Sequence, residues 1–136
     1  MTSVDIDYRS DLHGVSAEKL RGFFVGWANP PSEEQLLLSL QGSYAVVLAV
    51  DRPSLSVVGL ISAVSDGFLS AYIPLLEVLP EYQGRGIGTE LVERMMGQLS
   101  HMRMVDLVCD EPLTDFYSRF GMCRARAMII RRNELP

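Results

Sequence analysis

Apolar and polar residues follow several different rhythms along this chain, and each rhythm predicts an element. "VDIDYR", Val4 to Arg9, alternates with period two and predicts a short first strand. "SAEKLRGFFVGW" offers Ser16 as an N-cap and sets Leu20, Phe23, Phe24 and Trp27 at helical spacing. "NPPSEEQLLLSLQG" predicts a second short helix, capped by Ser32 and stopped at Gly42, with the prolines breaking it from the first. Three strands follow, at 44–50, 56–64 and 69–79, separated by the turn sequences "DRPS" and "SDG". The third run, "LSAYIPLLEVL", is apolar at both parities, as befits a central strand covered on each side. Pro74 inside it has no N–H for the ladder and predicts a bulge or a local break in pairing.

The rhythm then returns to 3.6. Ile87, Leu91, Met95 and Leu99 form one stripe of a helix over about 86–100, widened by Val92 and Met96, with Glu90 and Arg94 paired on the outer face. "MVDLVCD" predicts a further buried strand. "EPLTDFYSRFG" predicts a helix between Pro112 and Gly121, and "RARAMIIRR" a closing strand. Strand, two helices, three strands, helix, strand, helix, strand is the order of an α/β layer structure with a mixed sheet, over one domain spanning 1–136.

Composition narrows the function classes. With 48% apolar and 21% charged residues, the chain predicts an ordinary globular domain that needs no metal or disulfide staple. A net charge of -5 argues against nucleic acid or an anionic membrane as the main partner. Cys109 and Cys123 form no CxxC or Cys/His cluster and are expected as free thiols. His13 and His101 lie far apart with no third ligand nearby, so no metal site is expected. The acidic start "MTSVDIDYRSD" lacks the apolar core of a signal peptide, and no run is long enough to span a membrane. The expected location is the cytoplasm.

The chemistry concentrates in "LPEYQGRGIGTEL". Gly84, Gly86 and Gly88 stand immediately before the amphipathic helix. The P-loop pattern fails because no lysine follows any of these glycines, and the dinucleotide pattern fails because Thr89 and Leu91 stand where its third glycine is needed. What remains is Q-x-x-G-x-G. Glycines there let successive N–H groups point one way, joining the unsatisfied donors of the helix's first turn and the positive end of its dipole. A pyrophosphate fits such a nest, and Thr89 adds a hydroxyl. A tight strand-to-helix turn that binds nothing fits the same residues.

"LEVLPEYQGRGIGTELVERMM" resembles the main acetyl-CoA-binding motif of the GNAT acetyltransferase superfamily, and "LTDFYSRFGM" resembles its second motif. The order of elements follows that superfamily over essentially the whole chain. "GLISAVSDG" and "VGW" also resemble a small bacterial branch with some likeness to arylalkylamine acetyltransferases. The resemblance implies a three-layer fold, with a central mixed, mostly antiparallel sheet flanked by helices. It implies acetyl-CoA as cosubstrate, with main-chain groups of Leu76 to Val78 pairing with the pantetheine arm. Gln83, Gly84, Arg85, Gly86, Gly88 and Thr89 would then hold the pyrophosphate, and Tyr117 would lie beside the cofactor sulfur.

Acetyl transfer by direct attack needs a deprotonated amine, a polarised carbonyl and a protonated leaving thiolate, but no enzyme nucleophile. A missing Ser-His-Asp arrangement is therefore no obstacle. The resemblance favours Tyr117 as general acid over a half-buried aromatic anchor beside Phe116 and Phe120. Glu77, the lone charge between Leu69 and Leu79, is either a general base facing a cleft or the partner of an arginine on a neighbouring strand. Asp66 in "SDG" either faces the acceptor or forms the turn, and Trp27 either lines the acceptor site or belongs to the core. Arg124, Arg126, Arg131 and Arg132 suit an anion or the guarding of an edge strand. The expected activity is N-acetylation of a small primary amine. A silent acyl-CoA-binding module and a protein or peptide acetylase are the alternatives, and a homodimer is compatible with the apolar "FFVGW" and last strand.

Overall fold

A computed structural model describes residues 5–132. Five strands form one sheet in sequence order: β1 (Ile6–Arg9), β2 (Ala45–Asp51), β3 (Val57–Ser65), β4 (Ser70–Val78) and β5 (Met104–Asp106). Each neighbouring pair is antiparallel except β4 and β5, which run parallel. This is the mixed, mostly antiparallel sheet expected; Val4 of the expected first strand lies outside the described residues. No helix among the described residues is long and apolar enough to cross a membrane.

Both faces of the sheet are covered, which is why β2 reads as an unbroken apolar run. Ala45, Val47 and Ala49 point to one side and Val46, Leu48 and Val50 to the other. The first side packs against helix α2 (Ile87–Gln98), whose Ile87, Leu91, Val92 and Met95 are buried as the stripe required. Small residues let this helix approach closely: a Cβ on Gly59 would meet Ile87 and Leu91 at 3.2 Å. The other side packs against helix α1 (Glu33–Gln41) through Leu36 and Leu40. Ser32 caps α1 with a full capping box, in which Gln35 N–H donates to the Ser32 hydroxyl and Ser32 N–H to the Gln35 side chain. The Glu90–Arg94 pair forms on α2 at 2.7 Å.

Three expected elements differ. The helix after Ser16 is only a 3-10 turn, Ala17–Leu20, without a Ser16 side-chain cap. Gly22, Phe24 and Gly26 then adopt φ of 93°, 65° and 84°, left-handed values that no α-helix accommodates. "MVDLVCD" supplies only the three residues of β5, with Met104 and Asp106 exposed. "RARAMIIRR" joins no ladder: residues 123–132 are all exposed, Met128 almost completely. "EPLTDFYSRFG" forms a 3-10 turn, Glu111–Leu113, followed by the short helix α3 (Thr114–Ser118).

Candidate active site

The sheet is notched. β4 and β5 pair at Ser70–Met104, Ala71–Val105 and Tyr72–Asp106, and no further. At that point the β3–β4 register shifts, placing Ile73 and Pro74 opposite Ala63 alone, the bulge expected at Pro74. Past the bulge, Leu79 N–H donates to the Val58 carbonyl, so Leu79, Glu77 and Leu75 direct their main-chain groups to β3. By alternation, Pro74, Leu76 and Val78 direct theirs into the gap left by β5. Pro74 has no N–H to offer a parallel neighbour, which fits the parting of the strands there. Leu76 and Val78 thus present a free strand edge.

That edge leads through a 3-10 turn, Pro80–Tyr82, to the glycines. Gly84 and Gly86 have φ of 77° and 82°, and a Cβ on either would meet nothing within 4 Å. Their need is conformational, not steric crowding. Gly86 caps α2 without a side-chain bond, its carbonyl accepting from Glu90 N–H at 3.1 Å. The N–H groups of Gly84 to Thr89 find no acceptor among the described residues. Gly88, in the first turn, lies 3.9 Å from both Phe116 and Val78 measured from its would-be Cβ, so the loop is seated against β4 and α3 together. The guanidinium of Arg85 stands 5.8 Å from the centre of the Tyr82 ring. Gln83 turns back: its side-chain amide donates to the Val78 carbonyl at 2.9 Å. Of the two notch-facing main-chain groups of Val78, the N–H is therefore the one left to meet a ligand.

Tyr117 and Glu77 lie on opposite faces of the sheet. Tyr117 is buried against the α2 side, edge-on to Phe116, and lines a cavity of about 600 Å³ with Cys109, Thr114 and Met122. Burial, with a smaller push from Cys109, raises its phenol to about 12. Glu77 faces the α1 side, with Leu75 and Leu60, in a separate cleft of about 400 Å³. Among the described residues no arginine pairs with it. Its two oxygens instead accept from Phe24 N–H at 2.9 Å and Val25 N–H at 3.2 Å, which pins the left-handed loop to β4. Trp27 is not in the core: it is 42% exposed, packs on Phe24 with ring centres 4.8 Å apart, and lines the Glu77 cleft, which also reaches Leu76 and Gln83. The structure thus joins Trp27, Glu77, Leu76 and Gln83 in one cleft and keeps Tyr117 in another.

Asp66 is not brought to either cleft. It stands at the opposite end of β4, roughly 25 Å along the strand at about 3.3 Å per residue. There it accepts from the N–H groups of Phe68, Leu69 and Ser70, and those bonds, that from Leu69 foremost, hold its carboxyl below the usual range. Phe23, Phe24, Leu36, Leu60 and Leu75 also line the Glu77 cleft and were not singled out from the sequence. The glycines bracketing "FFV" were the one available signal. Among the described residues, no cluster of His, Cys, Asp or Glu is suited to a metal.

Comparisons with known proteins bear on the family and the fold. The Acetyltransferase (GNAT) family model matches residues 12–122. A crystal structure from Deinococcus radiodurans R1, named as an acetyltransferase, is similar at a TM-score of 0.91 with 43% identity, covering 97% of this chain and 94% of that one. A GNAT-family acetyltransferase from Streptococcus pneumoniae TIGR4 is similar at 0.73 with 32% identity, covering 94% of this chain and 100% of that one. In Arabidopsis thaliana, the chloroplastic GCN5-related N-acetyltransferase 2 is 36% identical over 66 residues, 47% of this chain. The chain spans only 26% of that curated relative's length.

Proposed function

The chain belongs to the Acetyltransferase (GNAT) family, and on that premise we propose that it moves an acetyl group from acetyl-CoA to the primary amine of a small molecule by direct attack. The observation that carries this reading is the notch. Two parallel strands part after three residue pairs, and the freed edge of β4 ends at a turn of unpaired N–H groups.

The residues present fit acetyl-CoA. An amide-bearing pantetheine arm pairs with Leu76 and Val78 as an added strand would, and the N–H groups of Gly84 to Thr89, at the positive end of a 12-residue helix, take the pyrophosphate. Arg85 and the Thr89 hydroxyl adjoin that position, while Gln83 fixes the Val78 carbonyl. Bound acetyl-CoA supplies the acetyl thioester and its leaving sulfur. The free N–H of Val78 donates to the thioester oxygen as charge develops there; one such donor is worth about 10²–10³ in rate in other enzymes. Tyr117 approaches from the α2 face and donates a hydrogen bond to the sulfur. The amine enters from the α1 face through the cleft of Glu77, whose carboxylate orients it and accepts its proton, directly or through water.

Thermal unfolding with and without acetyl-CoA tests the binding step. At a hundredfold excess over Kd the ligand stabilises the fold by about 2.7 kcal/mol, enough to raise Tm by several degrees. Release of free thiol across a panel of amines then tests turnover. No thermal shift at millimolar acetyl-CoA removes the whole reading; a shift without thiol release leaves an acyl-CoA-binding module.

A further inference from the structure

The wall of the Glu77 cleft restricts which amine can enter. We infer that the acceptor is a monocationic amine with an apolar body and no anionic group, an inference that rests on reading this cleft as the acceptor site. Three observations carry it. Glu77 is the only ionisable side chain among the described residues lining the cleft, and none of them is Lys, Arg or His. Apart from Glu77 and the Gln83 amide, the lining side chains are apolar or aromatic, Phe24, Trp27, Leu60 and Leu75 among them, with polar surface between them. Finally, the Glu77 carboxylate has no cationic partner among the described residues: it accepts one main-chain N–H on each oxygen and keeps further acceptor capacity on both.

A ligand ammonium completes this arrangement. It meets one carboxylate, and the half-exposed face of Trp27 adds attraction for the cation or contact for the carbon chain beside it. A carboxylate or phosphate on the same ligand meets the like charge of Glu77, and no cationic side chain among the lining residues offsets it. A second ammonium fares no better, because only one carboxylate is present. Amino acids, phosphorylated amino sugars and polyamines are therefore disfavoured by the same wall that accepts a simple alkyl or aryl amine.

Trp27 is the only tryptophan in the chain, so its emission reports occupancy of this cleft without turnover. The full chain is titrated, with and without CoA, using hexylamine, 6-aminohexanoate, 1,6-diaminohexane and hexan-1-ol, which share one carbon length and differ in charge. Hexylamine is expected to give a saturable change, and each of the others to bind at least tenfold more weakly. No saturable change with hexylamine, or less than tenfold separation from any of the three, overturns the inference. Failure of the family-based activity appears elsewhere, as absent thiol release from acetyl-CoA while the order of the four ligands stands.

Discussion

Replacing Tyr117 with phenylalanine deletes one hydroxyl and leaves the buried ring, with its edge-on contact to Phe116 at 5.0 Å, in place. The size of the effect follows from the phenol's environment. Burial pushes it from the usual value near 10 to about 12, so it keeps its proton throughout the neutral range. Complete transfer of that proton to a thiolate of ordinary pKa, about 8.5, is uphill by roughly 5 kcal/mol. Tyr117 is therefore expected to act as a hydrogen-bond donor to the sulfur rather than to surrender its proton early. A hydrogen bond to a charged group contributes about 1.5–3 kcal/mol. The Tyr117→Phe variant should accordingly lose roughly 10- to 150-fold in kcat, with acetyl-CoA affinity nearly unchanged. Thiol release at saturating acetyl-CoA gives kcat, and the acetyl-CoA-induced thermal shift gives affinity. A kcat within about threefold of the parent would refute contact with the sulfur, and a loss far beyond 150-fold at unchanged affinity would refute the donor-only role. The same burial has a sign in stability. A phenol whose folded-state pKa is raised contributes stability that is fully present below pH 10 and is lost as pH rises towards about 12. The phenylalanine variant should lack that part of the alkaline loss.

Three further substitutions test the frame around the site. Glu77→Gln keeps one acceptor but turns an NH₂ towards the second main-chain N–H, so Tm should fall by the equivalent of about 1–3 kcal/mol and KM for the amine should rise. Gly86→Ala places a side chain at φ 82°, costing about 1–2 kcal/mol, and should shrink the acetyl-CoA-induced thermal shift; an undiminished shift would exclude this turn as the pyrophosphate seat. Ser32→Ala removes the cap of α1 and should cost about 1 kcal/mol by denaturant titration, without changing thiol release per folded molecule.

What could be read from the sequence was what neighbouring residues decide among themselves. The strands β2 to β4, the cap at Ser32, the stripe of α2 and the bulge at Pro74 are all set by local periodicity, turn chemistry or a missing N–H. The glycine loop belongs to the same class, because left-handed φ at Gly84 and Gly86 is a local requirement. The segment after Ser16 followed a different rule. Its aromatics do repeat at helical spacing, yet the backbone is held open by Glu77, about fifty positions away, bonding to Phe24 and Val25. Only the folded sheet brings those groups together, so of the cleft's aromatic wall only Trp27 was a candidate beforehand, and Phe23 and Phe24 were not. The expected last strand failed for a related reason: "RARAMIIRR" has strand propensity, but β-structure requires a paired neighbour, and among the described residues the segment finds none.

A row of unsatisfied main-chain groups on a sheet is ordinarily a hazard, since a stranger's backbone can zip onto it. Here the exposed stretch of β4 is recessed, between β3 and the departing end of β5, instead of forming the outer rim. A visiting backbone therefore reaches those groups from within the sheet and not along its outer rim. The fold thereby keeps an aggregation-prone edge away from the rim, where one domain most readily meets another.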